Sequence, residues 1–281
     1  MTDNCTILAG IVTYNPDLDK FTECLEAVLK QIDNVYIFDN ASQNIDQIQL
    51  LLKKYESQVI LYKNSCNDGI ATALHNIMEF ASTNHYDWVL ALDQDSVLQP
   101  GIINYYRKAI NKCPLAGMFT CQRTDRNFHE NIDNSSKKAI TKVPCCITSG
   151  SLTKVKAYNE TSGYDKSFFI DAVDFDFCFT LREKGYKIYR INRIGLLHEV
   201  GHGENRRFLF KNIIIFNENP TRIYYMTRNK FKLFKKHQEY SLPNLIYREC
   251  ELFFRLCLYE KDKTKKLKMF FKGLLDGITA S

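Results

Sequence analysis

The sequence has little of what marks several large protein classes. Its 12 glycines and six prolines exclude a collagen-like repeat and a proline-rich linker. Its ten cysteines include no Cys-x-x-Cys pair, and Cys145 and Cys146 are adjacent, which argues against a zinc ribbon. No stretch approaches the ~20 apolar residues that span a bilayer. The apolar run Ile7 to Val12 is short and no basic segment precedes it, so it does not read as a signal peptide. These absences predict a cytosolic chain whose cysteines are thiols. No Gly-x-Gly-x-x-Gly follows that run and no Gly-x-x-x-x-Gly-Lys occurs, so neither a dinucleotide fingerprint nor a P-loop is supported.

What is present is ordinary in amount and uneven in placement. With 45% apolar and 25% charged residues, the 281-residue chain can bury a real core as one large domain or two small ones. The net charge is +6, but residues 1–205 carry 21 basic against 25 acidic side chains and residues 206–281 carry 17 against 7. A basic tail on an acidic body points to an anionic surface or partner, nucleic acid being the first that such charge suggests.

Apolar periodicity alternates between strand and helix through the first half. Short runs at 7–12, 35–38, 59–62 and 88–92 predict buried strands. The stripes Phe21, Leu25, Val28, Leu29, Ile32 and Ile45, Ile48, Leu51, Leu52, Tyr55, with the segment 69–81, predict helices between them. Such a series argues an α/β fold with a doubly wound, mostly parallel, Rossmann-like sheet. Ligands bind beyond the carboxyl ends of such strands. Four polar clusters should therefore share one rim: Thr13-Tyr14-Asn15, Asp39-Asn40, Asn67-Asp68-Gly69 and Asp93-Gln94-Asp95. Residues 122–141 lack periodicity and predict a surface loop, and Tyr186 to Ile191 predicts a further strand.

Several constellations carry chemistry. Asp93 and Asp95, at the end of a buried strand, suit a hard divalent cation; they equally suit a solvated turn. Asp171, Asp174 and Asp176 lie among aromatic residues. Asp171 and Asp174, three apart, can share one face of a helix's first turn, where an apolar setting raises a carboxylate toward a workable general base; helix capping is the alternative. His198-Glu199-Val200-Gly201-His202 matches the His-Glu-x-x-His zinc-peptidase pattern, which works only on a helix. The glycines around it favour a loop, with His198 as a single metal ligand. Arg222 and Arg228 match phosphate geometry, although the helix carrying them can equally pack its tyrosines on the core. Leu267, Phe270, Phe271, Leu274, Leu275 and Ile278, with Lys265, Lys266, Lys268 and Lys272, form a basic amphipathic helix. It can lie on an anionic membrane, dock on the body or meet a second chain.

These segments, in order, resemble glycosyltransferase family 2. The likeness runs through Val12-Thr13-Tyr14-Asn15-Pro16, Asp39-Asn40-Ala41-Ser42, Asn67-Asp68-Gly69-Ile70-Ala71, Asp93-Gln94-Asp95-Ser96, Ser149-Gly150-Ser151, Phe169 to Asp174 and Gly185 to Ile188. It reaches His198, Tyr224-Tyr225 and Arg228-Asn229, covering about residues 6–230. The wording around Asp93 and Asp174 is most similar to the bacterial rhamnosyltransferase branch. Two positions depart from the pattern: His75 stands where the family often has Asn, and Val173 where Glu or Asp usually precedes the base.

The resemblance implies a GT-A domain over 1–230, a basic amphipathic helical tail over 231–281, and inverting, metal-dependent transfer from a nucleotide sugar. Thr13, Tyr14, Asn15, Asp39, Asn40, Asn67, Gly69, Asp93 and Arg228 would line the donor. Asp95 and His198, with Asp93, would hold Mg²⁺ or Mn²⁺, and Asp174, with Asp171 as second choice, would be the base. The expected donor is dTDP-rhamnose, with a UDP-hexose as alternative. The expected acceptor is a glycan or a polyprenyl-diphosphate-linked precursor in bacterial cell-surface glycan synthesis. On this view the protein is cytoplasmic, peripheral at the inner face of the cell membrane, and binds no nucleic acid. Outside this class stand a zinc metallopeptidase using His198, Glu199 and His202, and a non-enzymatic binding module.

Overall fold

The computed structural model describes residues 5–126, 138–198, 204–208 and 211–279. The predicted alternation is there: β1 (Ile7–Thr13), α1 (Leu18–Leu29), β2 (Val35–Asp39), α2 (Ile45–Leu52), β3 (Val59–Lys63), α3 (Gly69–Thr83) and β4 (Trp88–Asp93). Next come β5 (Val97–Leu98), α4 (Ile102–Lys112), β6 (Ala116–Asp125), β7 (Ile140–Val143), β8 (Ser151–Lys154), α5 (Val155–Asn159), α6 (Val173–Glu183) and β9 (Lys187–His198). A hairpin of β10 (Glu204–Phe208) and β11 (Lys211–Ile215) leads to three helices, α7 (Pro220–Lys236), α8 (Leu242–Leu258) and α9 (Lys263–Thr279).

The main sheet runs β3-β2-β1-β4-β8-β6-β9-β5, with β7 also on β9. Strands β3, β2, β1 and β4 are parallel, β8 enters antiparallel, and β6 and β9 pair in parallel. Alternate residues of the buried strands feed two cores. Ile7, Ala9 and Ile11 of β1 pack under α1, α2 and α4 with Phe21, Ile48 and Tyr106, whereas Leu8 and Val12 pack under α3 and α6 with Leu74, Ile77 and Phe177. Apolar residues on both sides of one strand require helices on both faces of the sheet, and that leaves the carboxyl ends of the strands as the open rim.

Three local expectations change. Residues 122–125 are not loop: they extend β6 along β9, through register shifts on either side of Gln122, and β7 begins at Ile140. Backbone hydrogen bonds to β9 support this polar stretch, so side-chain periodicity does not reveal it. The strand predicted at 186–191 continues to His198, which ends β9 instead of sitting in a loop. Asp171 lies outside α6, with a left-handed φ of 63°, so it shares no helical face with Asp174.

The tail is built into the body. Helix α7 runs through residue 230 without a break, started by the side chain of Asn219, which accepts from Arg222 N, and by Pro220. Helix α9 lies against α7 at Gly273 and Gly277, where an added Cβ would fall 2.6 Å from Tyr224 O and 2.9 Å from Phe231 Cβ. Phe270 joins Ile223, Leu252 and Leu256 in a third apolar cluster. Lys266, expected on the basic face, is buried and paired with Glu260 at 2.6 Å. The ten cysteines are all free thiols. Among the described residues no helix is long and apolar enough to cross a membrane.

Candidate active site

A cleft of about 740 Å³ opens at the carboxyl ends of the parallel strands. All four predicted clusters reach it, through Tyr14, Asn40, Asn67, Gly69, Asp93, Gln94 and Asp95. The later chain adds Phe169, Ile170, His198, Glu218, Arg222 and Arg255. A wider groove of about 950 Å³ lies at the opposite, amino end of β4, beside Trp88 and Lys154. It gathers none of the strand-end acids, and open α/β sheets bind ligands at the carboxyl end.

The strand order brings the metal candidates together. Asp93 ends β4 and Asp95 lies in the turn that follows. Immediately afterwards β5 pairs with β9, Val97 opposite Leu197, which sets His198 beside the two acids. One ligand atom from each of Asp93, Asp95 and His198 lies within 4.8 Å of the other two. Ser149 Oγ accepts from Asp93 N at 3.1 Å and donates to Ser96 Oγ at 2.8 Å, which in turn contacts His198 Nδ1 at 3.0 Å. Such outer contacts orient a ligating imidazole. Burial pushes the Asp93 carboxyl up and Asp95 adds to the effect, against the pull of His198 and Arg222, although 39% of the Asp93 side chain still faces the cleft. Two carboxylates and one imidazole fit a divalent cation. The nitrogen suits Mn²⁺ better than Mg²⁺, which prefers oxygen throughout.

The approach to α6 is tight. Phe169, Asp171 and Ala172 all have left-handed φ, at 61°, 63° and 63°, each costing about 1 kcal/mol or more for a side-chain-bearing residue. Asn229, fully buried, holds this turn by donating to the carbonyls of Phe168, Ile170 and Asp171 at 2.7–2.9 Å. From the other side Gly69, at φ +83°, brings its backbone so close that a Cβ would lie 2.3 Å from Phe169 O.

The turn separates two carboxylates. Asp171 is raised by burial but faces Arg222, whose guanidinium is 3.3 Å away. Asp174, in the first turn of α6, accepts from Phe175 N at 2.9 Å. Burial, with the charges of Asp171 and Asp93, pushes its carboxyl up to about 6, against those backbone N–H groups. Near neutral pH Asp174 can exchange a proton, while Asp171 is tied to a cation. Asp176 is buried between His237 at 2.8 Å and Lys236 at 2.8 Å, and fastens α6 to the end of α7.

The remaining predicted residues fall around this cleft in different ways. Thr13 and Asp39 lie behind its wall: both are buried, and Asp39 accepts from Thr13 Oγ1 at 2.9 Å and from Ser42 N at 2.8 Å. Asn15 supports Gln43 N at 2.7 Å, and Asn40 supports Asp68 N at 3.0 Å. Asn67 accepts from Gly69 N at 3.0 Å. Arg228 donates to Ser167 O at 2.6 Å and lies over the Tyr225 ring at 4.7 Å, bracing the same turn as Asn229. His75 contacts Tyr158 Oη at 2.7 Å, outside the cleft lining. Glu199 and His202 lie outside the described residues; His198, at a strand end, does not supply the helix that a His-Glu-x-x-His site needs. Sequence reasoning put Gln94 on the rim without a role, where it holds Tyr14 N at 2.8 Å, and missed Glu218 and Arg255. Gln94 sits inside a motif already singled out; the other two carry no local signal.

The family model for Glycosyl transferase family 2 matches residues 9–186. The chain belongs to that family. The transferase is 24% identical over 291 residues to the dTDP-rhamnosyl transferase RfbF of Shigella flexneri, spanning 98% of this chain and 96% of that one. Among solved structures, S. aureus TarS 1–349 in complex with UDP-GlcNAc superposes with a TM-score of 0.61 at 14% identity, over 97% of this chain and 80% of that chain. GalNAc-T7 with UDP, GalNAc and Mn²⁺ gives 0.59 at 13% identity, over 80% of this chain and 48% of that chain. At such identities the likeness concerns the fold, which is GT-A. A glycosyltransferase with a GT-A fold is therefore the setting for the cleft.

Proposed function

We propose that the transferase moves L-rhamnose from dTDP-rhamnose to a hydroxyl of a lipid-linked or polysaccharide acceptor, with inversion, in bacterial cell-surface glycan synthesis. The observation that carries the chemistry is the raised Asp174 carboxyl, which lies just behind the lining of the cleft and close enough to Asp93 to feel its charge. The choice of donor is supported by the nearly full-length relationship to a dTDP-rhamnosyl transferase. Tyr14, Asn40, Asn67 and Gly69 line the donor side, with Thr13, Asn15 and Asp39 bracing them. Asp174 takes the proton of the acceptor hydroxyl as that oxygen attacks the anomeric carbon. The bond from that carbon to the diphosphate breaks on the opposite face. Asp171 and Arg222 hold the turn that aims Asp174. Asp93, Asp95 and His198 would hold Mn²⁺ or Mg²⁺, which offsets the charge of the departing diphosphate.

Offering dTDP-rhamnose and a panel of UDP-sugars, with Mn²⁺, tests the donor. We expect dTDP release from dTDP-rhamnose, and stronger thermal stabilisation by dTDP than by UDP. Release from UDP-sugars alone overturns the donor; release from none overturns the activity.

The same proposal places the protein at the inner face of the cell membrane. On α9, Phe271, Leu275 and Ile278 are 49%, 62% and 53% exposed, beside exposed Lys268 and Lys272. An apolar stripe flanked by lysines suits an anionic interface. Because α9 also covers Ile223 and Leu252, truncation would strip a core, and point changes are the cleaner test. Phe271→Ser with Leu275→Ser and Ile278→Ser should cut sedimentation with phosphatidylglycerol vesicles by about tenfold or more and leave the melting temperature close to the parent's. Equal sedimentation refutes this placement.

A further inference from the structure

Helix α8 lies beyond the residues matched by the family model, yet it sends one side chain, Arg255, into the catalytic cleft. The two arginines lining that cleft are held differently. Arg222 is bound on two sides, by Asp171 at 3.3 Å and Glu218 at 3.0 Å. Among the described residues the Arg255 side chain faces only Glu260, at 3.8 Å from Nε, which is too long for a hydrogen bond. The other oxygen of Glu260 is taken by Lys266 at 2.6 Å, so one buried carboxylate serves two cations. The Nε of Arg255 is buried and finds no acceptor among the described residues, while 21% of the side chain stays open.

This placement is held by packing. Leu252 and Leu256, flanking positions on α8, are buried with Ile223 and Phe270. A guanidinium Nε kept out of water without an acceptor is costly. Two nearby acids, Asp171 and Glu218, are committed to Arg222.

We propose that Arg255 binds a phosphoryl group of a ligand lying in the cleft. The guanidinium fork matches two phosphate oxygens at once. The cleft is otherwise rich in carboxylates, so a diphosphate entering it needs a cation beyond those at the metal-candidate cluster. The inference rests on the proposal that a nucleotide sugar and a phosphorylated acceptor meet here. Either can supply the phosphate, and the two are separable.

Titration calorimetry of the full chain in Mn²⁺, with dTDP and with farnesyl diphosphate as probes, tests the assignment on the parent, Arg255→Gln and Arg255→Lys. We expect Arg255→Gln to weaken one probe by about tenfold or more, and Arg255→Lys, which keeps the charge and loses the fork, to weaken it by about threefold. Loss on dTDP assigns Arg255 to the donor diphosphate; loss on farnesyl diphosphate assigns it to the acceptor. If Arg255→Gln does not fold, Arg255→Lys carries the test. Binding within twofold of the parent on both probes overturns the assignment alone. A parent that binds neither probe overturns both the assignment and the proposed function.

Discussion

Replacing Asp174 with Asn should lower turnover by about 10³-fold and leave dTDP affinity within a few-fold of the parent. The amide keeps the shape and can still accept from Phe175 N, but it cannot take the acceptor's proton. The pH dependence gives an independent check. The base works only when ionised, and burial pushes its carboxyl up to about 6, so the parent's turnover should fall as pH drops through that region. A divalent cation bound at Asp93 and Asp95 would draw the limb lower, since positive charge favours the carboxylate. The residual turnover of Asp174→Asn should lack the limb. Stability moves the other way. A buried carboxyl whose folded pKa exceeds its unfolded value makes the fold lose stability as pH rises from about 4 to 6. The neutral amide removes that cost, so the variant should melt at or above the parent's temperature at pH 7. An active Asp174→Asn moves the base elsewhere, and Asp171, tied to Arg222, is the next residue to replace.

Dialysis against EDTA should abolish sugar transfer, and Mn²⁺ should restore it at lower concentration than Mg²⁺. The preference follows from the donor set: His198 contributes nitrogen, which Mg²⁺ accepts poorly. Asp95→Ala should raise the Mn²⁺ concentration needed for half-maximal rate by about 10²-fold, because a diphosphate leaving group depends on the charge that the cation brings. Full turnover after chelation would exclude metal dependence and leave Asp93 and Asp95 as turn carboxylates.

Much of this site could be read locally. An apolar strand that stops at Asp93 announces its own end, and the next polar residues must lie on the rim. Asn67-Asp68-Gly69 opens a helix with the one residue type that tolerates φ +83° next to Phe169. The family likeness ordered these segments without any contact being known. Other features had no local signature. The polar stretch 122–125 is a strand only because β9, more than 60 residues later, offers it hydrogen bonds. The periodicity around 171–176 suggested one helical face, but Asn229 holds Asp171 in the turn before the helix.

The basic tail shows the division most clearly. The sequence by itself determined the alternating α/β order, the strand-end acids, the family and the excess of positive charge after residue 205, because periodicity, chain order and composition are local properties. Only the tertiary structure decided where that charge goes. Arg222 pairs with Asp171, Lys236 with Asp176 and Lys266 with Glu260, while Lys268 and Lys272 stay on the surface and Arg255 turns into the cleft. The face of α9 that became core was chosen by the close approach of α7 at Gly273 and Gly277. A helix's apolar stripe states that something will cover it, and only the packed partner determines which side is covered and which cation is left for a ligand.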